Sequence, residues 1–92
     1  MAHTIENKSK LIARVRRIKG QAEAVERALE AEIGCAEGLM LASSLRGAVH
    51  GLGAELMQDH IRSRVVNPDT DTDSDRARGA AELIEVVGAY LK

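Results

Sequence analysis

The sequence predicts an all-α protomer of three helices, two of them long and antiparallel and the third short and C-terminal. The 92 residues are 45 % hydrophobic, yet Tyr90 is the one aromatic residue and Pro68 the one proline. Ala, Leu, Val and Ile therefore supply the apolar surface, and this composition favours helices over strands. Because a chain this short buries only about 60 % of its unfolded surface, residues 1–92 form a single small domain without a second core.

Apolar residues recur at helical spacing in three segments. The first helix, predicted over residues 5–31, has its apolar stripe at Leu11, Val15, Ile18, Ala22, Val25 and Leu29. The second, predicted over residues 36–65 after a stop at Gly34, has its stripe at Ala42, Leu45, Val49, Leu52 and Leu56. Asn67 and Pro68 end this pattern, and the polar residues 69–74 form a linker whose last residues cap a third helix. That helix has its stripe at Ala77, Ala80, Ile84, Val87 and Leu91.

Two long helices and one short helix do not enclose a core by themselves, because a single neighbour covers only part of each apolar stripe. We therefore expect the protomer to assemble with copies of itself. The second helix contains Gly47, Ala48 and Gly51 near its middle, where small residues allow another backbone to approach closely. We predict a helix crossing there; the alternative is that the helix tolerates these glycines at a cost of about 1 kcal/mol each.

Positive charge is concentrated at the start of the chain. Residues 1–19 contain six Lys and Arg residues against one Glu, whereas residues 20–92 contain seven bases and thirteen acids, so the net charge is -1. Lys10, Arg14, Arg17 and Gln21 recur at helical spacing and form one row suited to contacts with nucleic-acid phosphates. Arg46 extends this patch. The alternative is a solvated face, and no helix-turn-helix, zinc-finger or RNA-binding motif is present.

A cysteine and two histidines are the candidate metal ligands, apart from His50. Cys35 and His60 are 25 residues apart, or about 37 Å along one helix, so they do not meet within a chain. In an antiparallel pair of second helices, a two-fold axis between Gly47 and Ala48 brings Cys35 of one chain beside His60 of the other. Folding the first helix back about residue 33 brings His3 to the same place. We therefore predict one cluster of His3, His60 and a partner's cysteine at each end of a dimer.

Several classes of protein are excluded or disfavoured by the pattern. No apolar run is long enough to span a membrane and no secretory signal opens the chain, so we expect a cytoplasmic protein. The lone Cys35 excludes an intrachain disulfide. We expect no enzyme, since no acid–base pair or substrate pocket is evident. A small metal carrier without DNA binding is a further alternative, although such a protein has no need for the basic row.

Several stretches of the chain together resemble one known family. These are RVRRIKGQ at residues 14–21, LRGAVHGL at 45–52 and AYLK at 89–92, together with Cys35 and His60. They are similar to the CsoR/RcnR/FrmR family of bacterial transcriptional repressors. The resemblance implies an all-helical protein, a tetramer built from antiparallel dimers, and repression of a promoter until a small effector reaches the cysteine. It also implies two sets of residues: DNA contacts at Lys10, Arg14, Arg16, Arg17, Lys19 and Arg46, and effector sensing at Ala2, His3, Cys35 and His60.

Arg64 bears on the identity of the effector. Copper sensors of the family place a second cysteine there, nickel and cobalt sensors place a histidine there, and persulfide sensors need two thiols. Formaldehyde needs only a reactive cysteine and an amine, because the thiolate adds to the carbonyl carbon and the amine condenses to leave a methylene bridge. Ala2 allows removal of Met1, which exposes an amine beside His3. We favour formaldehyde, although formaldehyde sensors usually carry proline at position 2.

A divalent metal ion is the alternative effector. His3, Cys35 and His60 supply three ligands for Co(II), Ni(II) or Zn(II), in a repressor of a metal efflux gene. Neither alternative makes a cofactor obligatory. His50 stands where the family commonly has asparagine, and nothing in the sequence explains it.

Overall fold

The computed structural model describes residues 7–91, which fold into three α-helices. Helix α1 is Lys8–Glu30, α2 is Cys35–His60 and α3 is Ser74–Tyr90, while a π-helical segment, Ile61–Val65, continues α2. Residues 7–91 contain no strand, and the predicted all-α protomer of three helices is confirmed. No helix in this part of the chain has the length and apolar character needed to cross a membrane.

The turn between α1 and α2 is made by Glu32 and not, as the sequence predicted, by Gly34. Glu32 has a φ of 55°, the left-handed conformation, whereas Gly34 has φ -58° and ψ 149° and immediately precedes α2. The N–H of Glu32 donates to the carbonyl of Leu29 at 3.1 Å, and the N–H of Ile33 donates to that of Ala28 at 3.1 Å. These two bonds form a Schellman motif, which satisfies carbonyls that the end of α1 leaves unpaired.

Helices α1 and α2 pack as an antiparallel hairpin with one register. Three contacts define it: Arg14 lies over Gly51, Lys10 faces Glu55, and Gln21 faces Ser44. In each of these pairs the two residue numbers sum to 65. The register therefore places the basic start of α1 beside the last turns of α2.

The core of the protomer is small. Ala54, Ile61, Ile84 and Val87 form one buried cluster where the end of α2 and the π-helical segment meet α3. The protomer measures 57 × 24 × 12 Å, so its thinnest dimension is about the diameter of one helix. A single layer of helices leaves many large apolar side chains exposed, among them Leu39, Met40, Val49, Leu56, Met57, Leu83, Val86 and Tyr90. The exposed apolar surface agrees with the expected self-assembly, which stays a prediction.

The linker before α3 is ordered by carboxylates. Asp73 caps α3, as predicted for the end of this linker, because its side chain accepts from the N–H groups of Asp75 and Arg76 at 3.0 and 3.1 Å. The Arg76 guanidinium donates to both carboxylate oxygens of Asp71, at 2.6 and 2.8 Å. These bonds, with one from the N–H of Asp73, lower the pKa of Asp71 from 3.8 to about 2.

Gln58 adds a hydrogen bond between α2 and α3 to the apolar contacts of the core cluster. Gln58 Nε2 donates to the carbonyl oxygen of Ile84 at 2.9 Å. Gly88 makes room for this bond, since a Cβ atom at that position would lie 2.5 Å from Gln58 Nε2. The amide thus joins α3 to α2 two residues before His60, the last residue of α2.

Candidate functional site

Three members of the predicted basic row contact α2. Lys10 Nζ lies 3.5 Å from Glu55 Oε1, and Arg14 Nε forms an ion pair with Glu55 Oε2. Gln21 Nε2 donates to Ser44 Oγ at 3.1 Å. Arg17, the fourth member of the row, is exposed. The row therefore follows the seam between the two long helices, and its side chains differ in how free they are to meet a phosphate.

Arg14 reaches Glu55 because α2 carries a glycine beneath it. A Cβ atom on Gly51 would lie 3.0 Å from Arg14 Nη1. Gly51 is one helical turn before Glu55, so the guanidinium crosses the bare backbone to the carboxylate. The small residues of the predicted helix crossing, Gly47, Ala48 and Gly51, are therefore not all open in the protomer. Arg14 uses the space at Gly51, whereas nothing described lies within 4 Å of a Cβ on Gly47.

Four other predicted DNA-contacting bases are exposed: Arg16, Arg17, Lys19 and Arg46. Among residues 7–91, none of them forms an ion pair with a carboxylate. The hairpin register places Arg46 of α2 opposite Lys19 of α1, so the two helices contribute bases at the same level. Among the predicted DNA contacts, these four positive charges are therefore the ones that no carboxylate in residues 7–91 neutralises.

Two acids beside the basic row were not predicted from the sequence. Glu55 and Asp59 are each only 9 % exposed and lie one turn apart on α2. Asn7 Nδ2 donates to Glu55 Oε1 at 3.3 Å and to Asp59 Oδ2 at 2.9 Å, and Arg62 Nη1 lies 3.7 Å from Asp59 Oδ1. Their spacing of four residues was a visible signal. Only the hairpin register shows that Glu55 faces Lys10 and Arg14 while Asp59 faces neither.

Cys35 and His60 stand at opposite ends of one helix. Cys35 is the first residue of α2 and carries a free, exposed thiol; His60 is the last residue and is also exposed. At about 1.5 Å per residue they are roughly 37 Å apart. One protomer therefore does not bring Cys35 and His60 together, which agrees with the prediction from their spacing. Ala2 and His3, the other predicted sensing residues, lie outside the described residues.

The described part of one protomer does not fit a metal ion. Within residues 7–91 no three His, Cys, Asp or Glu side chains are grouped closely enough to hold one. A Zn, Ni or Co site at Cys35 and His60 therefore requires ligands from a second protomer or from residues outside this range. His50 is exposed in the middle of α2, and Arg64 lies in the π-helical segment four residues after His60.

The described residues thus form an all-helical hairpin with an exposed basic surface and an exposed thiol. Residues 7–89 match the sequence model of the metal-sensitive transcriptional repressors. The chain belongs to this family, which confirms the resemblance seen in the sequence. Its class of function is therefore transcriptional repression, with DNA as the partner, and the family is one of repressors and not of enzymes.

Two relatives match over their whole length. The chain is 44 % identical over 92 residues to an uncharacterized protein in the bioA 5′ region of Serratia marcescens, with all of both chains covered. It is 36 % identical over 95 residues to the transcriptional repressor RcnR of Salmonella paratyphi B, again with all of both chains covered.

Proposed function

We propose that the protein is a DNA-binding repressor that a small effector releases at a site shared between subunits, with Cys35 from one protomer and His60 from its partner. One observation carries this proposal. The two exposed side chains occupy the first and last positions of the 26-residue helix α2. Antiparallel pairing of two such helices places Cys35 of each chain beside His60 of the other, so that one such site lies at each end of a dimer.

Four exposed basic residues support the DNA-binding half of the proposal: Arg16, Arg17, Lys19 and Arg46. A protein with a net charge of -1 binds DNA only if its bases are segregated on one surface, and these four are exposed together on the hairpin. Two antiparallel dimers in a tetramer present this surface several times. The spacing between the copies of this surface then decides whether the tetramer fits the spacing of phosphates on a duplex. A change at the sensing site can therefore alter DNA affinity without altering the Lys and Arg residues themselves.

Formaldehyde is the effector that we favour, because its chemistry makes the fewest demands on the protein. The Cys35 sulfur adds to the carbonyl carbon, and the carbonyl oxygen takes a proton to give a hydroxymethyl thioether. An amine then displaces that hydroxyl as water and leaves a sulfur–methylene–nitrogen bridge. We propose that the amine comes from the segment that holds Ala2 and His3. Such a bridge joins two subunits across the end of α2.

A divalent metal ion is the second candidate, favoured by the description of the family as metal-sensitive. His3, Cys35 and His60 are the proposed ligands for Co(II), Ni(II) or Zn(II). Arg64 opposes this candidate, since a cation four residues from His60 repels a bound divalent ion.

Fluorescence anisotropy tests the effector and its site. The probe is a labelled duplex from directly upstream of the protein's own coding sequence, titrated with formaldehyde, Co(II), Ni(II) or Zn(II). Cys35→Ala and His60→Ala are expected to bind the duplex and to resist release. His50→Ala is the matched control, because it removes an exposed histidine from the same helix, and it should respond normally. Release of Cys35→Ala by every effector would refute the sensing assignment.

Mixing the two inactive variants tests whether the site is shared. Cys35→Ala and His60→Ala, refolded together, form mixed dimers with one intact site and one empty site if the ligands come from different chains. Partial recovery of the response is then expected. A mixture as unresponsive as either variant alone would contradict the shared site. If the wild type binds the effector but no DNA even at low salt, the protein is a carrier and not a repressor.

A further inference from the structure

Glu55 is a buried carboxylate that faces two predicted DNA-contacting bases. Its residue is 9 % exposed, while the side chain of Arg14 is 35 % exposed and that of Lys10 is 69 % exposed. Oε1 accepts from Asn7 and lies 3.5 Å from Lys10 Nζ, and Oε2 pairs with Arg14 Nε. The acid therefore sits below the surface, and the bases lie between it and solvent.

The contact with Arg14 has a place prepared for it. Gly51 leaves the gap through which the guanidinium passes, and a methyl group there would crowd Nη1 at 3.0 Å. Glu55 Oε2 is buried, and the Arg14 guanidinium meets it through the single nitrogen Nε. A carboxylate held in this way offers the guanidinium a charge but not the two parallel bonds that make such pairs strongest. Arg14 can therefore exchange it for another anion.

We propose that Glu55 is an internal competitor of DNA phosphate for Lys10 and Arg14. In the free protein it neutralises part of the basic row, so that DNA first meets Arg16, Arg17, Lys19 and Arg46. A phosphate that approaches Arg14 must then displace or share the carboxylate. Glu55 thus sets DNA affinity below what the six bases would give together. This inference rests on the proposed DNA-binding function and adds to it a residue that opposes binding.

Asp59 provides a matched comparison. It has the same 9 % exposure and lies on the same helix one turn later, but it contacts Asn7 and Arg62 and neither of the two bases. Asp59→Asn and Glu55→Gln each remove one buried negative charge with almost no change of shape. A difference between the two variants therefore reports the contact with Lys10 and Arg14 and not the net charge.

The experiment measures affinity for two duplexes, the upstream duplex described above and one of random sequence, over a range of salt concentrations. Glu55→Gln is expected to bind both about three- to tenfold more tightly, since the net contribution of one ordinary hydrogen bond is worth about that factor. The slope of log K against log salt should steepen by about 0.9 for each protomer engaged. Asp59→Asn should stay within about twofold of the wild type. In a Lys10→Gln/Arg14→Gln background, Glu55→Gln should change nothing.

Weaker or unchanged binding by folded Glu55→Gln would overturn the inference, as would an equal gain in Asp59→Asn. If circular dichroism shows that Glu55→Gln is unfolded, Gly51→Ala takes its place. Its methyl group displaces Arg14 from the space above residue 51 without a change of charge. Gly51→Ala should therefore raise DNA affinity by a smaller factor than Glu55→Gln, and a loss of DNA affinity would contradict the competition. If the wild type binds neither duplex at low salt, the proposed DNA-binding function is wrong. If the wild type binds DNA and Glu55→Gln binds it no more tightly, only the inference about Glu55 is wrong.

Discussion

Gly88→Ala tests how α3 is held on α2. In an exposed helix interior this change stabilises a protein by about 1 kcal/mol, because alanine loses less backbone entropy. At residue 88 the new Cβ would lie 2.5 Å from Gln58 Nε2, so the amide must leave the Ile84 carbonyl. A hydrogen bond of this kind contributes about 1 kcal/mol. We therefore expect the two effects to cancel, with a net change in the free energy of unfolding near zero.

Gln58→Ala separates the two contributions. Once the amide is gone, Gly88→Ala meets no obstacle and should stabilise the protein by about 1 kcal/mol, so the double-mutant cycle gives a coupling of about 1 kcal/mol. Gly79→Ala is the control, since nothing lies within 4 Å of a Cβ there, and it should stabilise by about 1 kcal/mol in both backgrounds.

Thermal unfolding followed by circular dichroism measures these differences. For a domain of this size, 1 kcal/mol corresponds to a shift in Tm of about 4–8 °C. The protein concentration must be the same for all variants, because the apparent stability of any protein that assembles depends on its concentration. If Gly88→Ala raises Tm as much as Gly79→Ala in the wild-type background, Gln58 does not occupy the space beside Gly88 and the reasoning fails.

Four further predictions concern the turn, the linker and the basic surface. Glu32→Gly should raise the free energy of unfolding by about 1 kcal/mol, because glycine adopts a φ of 55° without strain; no gain in urea unfolding would argue against the left-handed turn. Asp73→Ala should lower it by about 1 kcal/mol through loss of the α3 cap, while Asp73→Asn should retain most of the capping. The pKa of Asp71, followed by NMR, should be about 2 and return toward 3.8 in Arg76→Gln; because the folded pKa is lowered, the pair's contribution to stability is complete above about pH 3.8 and is lost as the pH falls through 2. Arg17→Gln should reduce the salt slope of DNA binding by about 0.9 for each protomer engaged, and an unchanged slope would place this side chain off the duplex.

The sequence alone determined the elements and the family. A stripe repeated every 3.6 residues and a polar linker that ends in a cap are local signals, so they located all three helices and the capping role of the residues before α3. They did not locate the π-helical segment within the predicted second helix, nor the left-handed residue of the turn. Both depend on how the helices pack against one another, and the spacing of apolar residues contains no information about that packing.

The tertiary structure decided which charges are free. Lys10, Arg14 and Arg17 look equivalent in the sequence, yet the hairpin register places Glu55 beside the first two and leaves Arg17 exposed. Register is set by the packing of α1 on α2 across about forty residues of sequence, so no local pattern contains it. The physical reason is that a helix fixes its own periodicity through bonds four residues apart, whereas the neutralisation of a charge depends on a distance that only the docked helices define.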